Sequence, residues 1–179
     1  MNNLVSLMAM AGMDKTLIIA CGECGISKHI EFNDRIFILA LSDSMLSNHD
    51  PLEKGKIQYY IESKGCRKIV IVGSVHQNLI DRLIRSEALL SPAASLKFNT
   101  KVFLRNQDKE ILPETLRDHM LIELHVISQC NLLMDYYFIR ERVMKAKLQI
   151  RGVVIEQTEG HLKEIFYNGT IYNDIISMN

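Results

Sequence analysis

Two patterns of apolar residues divide this chain. Short unbroken runs, Thr16–Ala20 (TLIIA), Arg35–Leu41 (RIFILAL) and Lys68–Val72 (KIVIV), read as strands buried on both faces. Between and after them the apolar positions take helical spacing. Pro51 opens a helix over Leu52–Lys64, with Ile57, Tyr60 and Ile61 as its stripe and Gly65 as its stop. Leu79, Ile80, Leu83, Ile84 and Leu90 predict a helix after the third run, Ser91–Asn99 a loop, and Lys101–Leu104 (KVFL) a further strand. Pro113 starts a long helix to about Met134, with Leu116, Met120, Leu124 and Ile127 on one face, and a second helix covers Asp135–Lys147. Leu148–Gln157 and Leu162–Tyr167 form an antiparallel hairpin with Gly160 in its turn; the tail beyond carries no assignment. The order predicts an α/β fold: a mainly parallel sheet of four to five strands, flanked by helices, with the hairpin as an antiparallel edge.

Composition narrows the function more than the fold. The 179 residues favour one domain, 16–179, preceded by a short arm or helix, 1–15. In that arm positions 4, 7, 8 and 11 share a helical face, which predicts packing on this domain or on a neighbouring subunit. The 21 basic and 21 acidic side chains cancel, so nothing marks a nucleic acid or an anionic membrane as partner. No apolar run reaches a membrane span, and the N-terminus lacks the basic start of a secretory signal. Cys21, Cys24, Cys66 and Cys130 are too scattered for a disulfide framework. Reduced thiols in a cytoplasmic setting are expected, with Cys66 and Cys130 as small buried hydrophobes.

In an open parallel sheet, ligands gather outside the carboxyl ends of the strands. The first strand ends in Cys21-Gly22-Glu23-Cys24-Gly25 and the third in Gly73-Ser74-Val75-His76-Gln77. If those strands are neighbours, the two turns meet over one crevice. Together, LIIACGECGI and IVIVGSVHQN resemble the two zinc motifs of the β-class carbonic anhydrases, Cys-x-Asp-Ser-Arg and Gly-His-x-x-Cys. RIFILAL, IQYYIESKGCRKIVIVG, HVISQCNLL and IRERVMKAKLQIRGVVIEQTEGHLKEI extend the resemblance, in order, over roughly residues 15 to 168.

The resemblance implies a zinc site of two cysteines and a histidine, an Asp–Arg dyad beside the metal-bound water, and a homodimer or higher homo-oligomer. The residues here depart from it. Cys21 matches the first ligand, but Ser74 replaces the histidine and Gln77 the second cysteine. Glu23 stands for the Asp, Cys24 for the Ser and Gly25 for the Arg. One ligand of three remains, and a hydroxyl and a neutral amide are poor zinc donors. Without the metal no bound water has its pKa lowered to about 7.

The expectation is therefore a β-carbonic-anhydrase-like protein that is catalytically inactive, with no cofactor, serving binding, assembly or regulation, with a protein partner open. The alternative is an enzyme of altered chemistry in the same crevice. It would be a zinc-dependent lyase on a site rebuilt from Cys21, Cys24, Glu23 and His76, or would use Cys21 as a nucleophile. A sensor for a small anion such as bicarbonate is a third reading, weakened by the missing arginine. Cys21-x-x-Cys24 also fits a redox pair, and Ser42-Asp43-Ser44 a turn or cap. His119 and His125, six apart, do not share a helix face.

Overall fold

The computed structural model describes residues 7, 9–21, 34–41, 46, 50–75, 80, 114–156 and 161–172. The helix expected over 79–90 (except Ile80, which is buried), the loop 91–99, the strand 101–104, the 42–44 turn and Gly160 lie outside them.

Among the described residues, six strands form one sheet in the order β2-β1-β3-β4-β5-β6. They are β1 (Thr16–Cys21), β2 (Ile36–Leu41), β3 (Lys68–Ser74), β4 (Gln149–Glu156), β5 (His161–Tyr167) and β6 (Thr170–Ile171). The first four run parallel, β5 is antiparallel to β4, and β6 is antiparallel to β5. The mainly parallel α/β sheet is the one the apolar runs predict. β4 and β5 are the expected hairpin, with β4 parallel to β3, so the hairpin joins the sheet through its first strand. The strand count is higher than the four to five expected, because the tail adds β6 through a tight turn at Asn168 (φ 47) and Gly169 (φ 98). Two successive residues of positive φ make the turn whose twist matches a hairpin, and Asn-Gly is its preferred sequence.

Helix α1 (Pro51–Glu62) starts where Asp50 Oδ1 accepts the backbone N–H groups of Leu52 (2.8 Å) and Glu53 (3.4 Å). Ile57 and Ile61 are buried on the sheet side, Tyr60 is half-buried, and Gly65 (φ 73) follows the last turn as expected. Helix α2 (Glu114–Asp135) is the centre of the main core. From Leu121 to Leu133 nearly every side chain is buried, not a single stripe. Leu116, expected on the apolar face, is instead 47% exposed. The reason is its place in the first turns: Gly73, next to last in β3, meets α2 at Ile122 and Val126, so the start of α2 lies beyond the end of β3. Helix α3 (Tyr137–Met144) is shorter than predicted. It closes at Ala146 (φ 53) with Lys147 N–H donating to Arg142 C=O at 2.8 Å.

The two sheet faces carry separate cores. Leu17, Ile19, Ile69, Ile71, Ile150 and Val154 pack with α1 and α2. Ile18, Ala20, Ile36, Val70, Val72, Val153 and Ile155 pack with Leu7 and Ala11 of the N-terminal segment.

Candidate functional site

β1, β2 and β3 are parallel and in register, Ala20 beside Ala40 and Val72, so their carboxyl ends open on one sheet edge. That adjacency brings the two sequence motifs together. Cys21 is the last residue of β1, opposite Leu41 of β2, and Ser74 is the last residue of β3. Glu23, Cys24, Gly25, His76 and Gln77 lie outside the described residues.

Gly73 is glycine because α2 leaves no room for more. A Cβ there would stand 2.5 Å from Val126 Cγ2 and 2.9 Å from Ile122 Cγ2. Gly73 thus faces α2, and by strand alternation Ser74 belongs to the opposite face, with Val72 and Val70. Ser74 is 4% exposed. Ser74, which the resemblance sets at the histidine-ligand position, is therefore a buried serine at the rim of the sheet. Its hydroxyl has neither the basicity of imidazole nor the negative charge of thiolate, the donors structural and catalytic zinc sites use. Of the residues that the resemblance sets at the zinc ligands, Cys21 and Ser74 are described, a thiol and a hydroxyl, and a hydroxyl there does not fit zinc held by two thiolates and an imidazole. Among the described residues no group of three His, Cys, Asp or Glu side chains is placed to hold a metal ion.

Beneath the strand ends lies a cavity of about 10 Å³, between Ile19, Ala20, Leu41, Ile71, Val72 and Gly73 of the sheet and His125, Val126 and Gln129 of α2. That is room for about one water molecule. Two polar side chains reach it, His125 (5% exposed) and Gln129 (7% exposed). Gln129 Oε1 accepts the backbone N–H of Leu46 at 2.5 Å, tying the chain after β2 to α2. Neither residue is among the site residues read from the motifs. The available signal is their i, i+4 spacing, which places both on one helix face. Further along α2, buried Glu123 accepts a hydrogen bond from Lys163 Nζ of β5 at 2.9 Å.

Cys66 and Cys130 are free and buried. Burial pushes the Cys66 thiol up to about 11, against the nearby Lys15 cation, and burial also holds Cys130 well above the ordinary thiol range. Both are protonated core residues, as the sequence suggests, and neither belongs to the crevice.

Comparison with known proteins points to one family. The family model described as carbonic anhydrase matches residues 16–162. Comparison with curated proteins finds no match. Among solved structures, the chain is similar to the β-carbonic anhydrase CafD of Aspergillus fumigatus, with 23% identity, a TM-score of 0.65, and coverage of 87% of this chain and 91% of that one. It is similar to a tetrameric β-carbonic anhydrase of Sordaria macrospora, with 20% identity, a TM-score of 0.66, and coverage of 90% and 85%. It is also similar to the Coccomyxa β-carbonic anhydrase in complex with acetazolamide, with 15% identity, a TM-score of 0.62, and coverage of 93% and 79%. The sheet order, the meeting of the two motif strands and a family match running from the first residue of β1 into β5 agree: this chain belongs to the carbonic anhydrase family and has the fold of its β class.

Proposed function

We propose that this chain is a non-catalytic member of its family, unable to hydrate CO2 through a β-class zinc centre, and that it works by binding, assembly or regulation. The observation that carries this reading is Ser74, a buried hydroxyl at the carboxyl end of β3, beside the strand that ends in Cys21. In sequence, Gln77 in place of the second thiolate and Gly25 in place of the arginine point the same way. A lone thiolate supplies too few donors to hold zinc at the strand ends. Glu23 without a guanidinium neighbour loses the partner that would orient it and keep it ionised.

The tetrameric relative in Sordaria macrospora supports a homo-oligomer. Free buried thiols suit a reducing, cytoplasmic setting. Among the described residues, no helix is long and apolar enough to cross a membrane. Residues 1–15 are the arm and 16–179 the domain.

The direct test is zinc content, measured by mass spectrometry on protein purified without chelator or metal-affinity tag. The expected result is far less than one zinc per chain. One zinc per chain, lost on Cys21→Ser, would replace this reading with a centre rebuilt around Cys21, Cys24 and His76.

A further inference from the structure

The parallel strands have a second end, away from Cys21 and Ser74, where the chain enters β1, β2, β3 and β4. Main-chain hydrogen bonds lace these entries together. Thr16 N–H donates to Arg35 C=O at 2.8 Å, Arg67 N–H to Lys15 C=O at 2.9 Å, and Gln149 N–H to Arg67 C=O at 2.9 Å. Residues 35, 15 and 67 and the start of β4 therefore stand side by side across the sheet, at the usual strand spacing of about 4.8 Å.

The side chains at this edge are mostly cations. Residues 13–15, 34–35, 63–67 and 145–148 carry Lys15, Arg35, Lys64, Arg67, Lys145 and Lys147, all exposed, against the carboxylates of Asp14 and Asp34. The whole chain has equal numbers of basic and acidic residues, so six cations against two carboxylates is a local segregation of charge. The acids of the adjoining helices reduce the surplus only in part. Glu141 pairs with Lys145 at 2.5 Å, and Glu62 pairs with Arg142 at 3.4 Å.

Apolar groups flank the same row. Met13, two residues before Lys15, is 82% exposed, and Met144, next to Lys145, is 80% exposed. They are the two most exposed large hydrophobic residues among those described. Arg35 Nη1 donates to Met13 Sδ at 3.6 Å, which sets that thioether against the row. Flexible, polarizable methionines are over-used on surfaces that take partners.

We propose that the amino-terminal edge of the parallel sheet is a docking surface for an acidic segment of a partner protein that also carries apolar side chains. The cations would meet its carboxylates, and Met13 and Met144 its apolar groups. Asp14 beside Lys15 and Asp34 beside Arg35 break the row into separate positive points. That suits a segment with spaced carboxylates better than the unbroken negative charge of a nucleic acid or an anionic membrane. The edge lies at the other end of the strands from the crevice, so the proposal stands whether or not zinc binds there.

The test is selection from a random-peptide display library on the full chain at low salt. The recovered peptides are expected to be rich in Asp and Glu and to contain apolar residues. The best of them, synthesised with a fluorescent label, is expected to bind more weakly as sodium chloride rises. Lys15→Glu with Arg67→Glu should weaken it about ten-fold, with the fold intact by circular dichroism. Met13→Ser with Met144→Ser should weaken it as well. Recovery of no acidic peptide would overturn the proposal, as would a peptide whose binding either pair of changes leaves as it was. Phosphatidylserine vesicles or duplex RNA bound as tightly as the peptide, and lost with the same charge reversal, would also overturn it, in favour of a general polyanion surface. If Lys15→Glu with Arg67→Glu does not accumulate folded, Lys64→Gln with Lys147→Gln is read in its place against the same outcomes.

Discussion

Gly73 and Ser74 are adjacent residues under opposite demands. Gly73 is set by packing, because Val126 and Ile122 of α2 occupy the space of a side chain. Gly73→Ala is expected to destabilise the protein by about 1–3 kcal/mol, the usual cost of forcing volume into a packed core, as measured by urea unfolding. Val126→Ala in the same chain should recover part of that loss. Ser74 carries the proposed function, and its place at the end of β3 was legible from the run KIVIVGS. His125 and Gln129 were not legible in the same way. Nothing in HVISQC separates a buried polar pair over a cavity from a solvated helix face until the sheet edge is known to lie above it.

The strands were read well because parallel strands buried on both faces leave continuous apolar runs, although β1 runs one residue past TLIIA and β3 two past KIVIV. Two elements were missed in detail, each for a local reason. β6 was announced by Asn168-Gly169, a two-residue turn signal that is easy to pass over when only two strand residues follow. The burial of α2 on nearly all sides was hidden because periodicity reports one face, and a helix enclosed on several has no polar face to contrast with it. At α1, by contrast, Asp50-Pro51 states the start of the helix outright. Asp50→Ala removes the acceptor for Leu52 N–H and Glu53 N–H and is expected to cost about 1 kcal/mol of stability, measured as a shift of the urea midpoint with unchanged slope.

At the scale of the molecule, the described residues carry the β-class fold, and the proposed change of function lies at the rim of its sheet. Its core also sets its response to pH. Cys66 keeps its proton in the folded state up to about 11, whereas the unfolded thiol loses it near 9.0. That contribution is complete below pH 9 and is lost as pH rises toward 11. It amounts to about 2–3 kcal/mol at the upper end, since one pKa unit is about 1.4 kcal/mol. Cys130 and Tyr136, also raised by burial, have the same sign. Lys68, with its pKa lowered, has the opposite sign and gains stability as pH rises toward 10.5. Three groups against one predict a fall in urea stability between pH 9 and 11, and Cys66→Ala should flatten it. The central claim, that the frame persists without the family's chemistry, is tested most directly by stopped-flow CO2 hydration on protein incubated with zinc. The account predicts a rate equal to that of buffer at every protein concentration. A zinc-dependent rate that rises in proportion to protein and disappears with a chelator would contradict it.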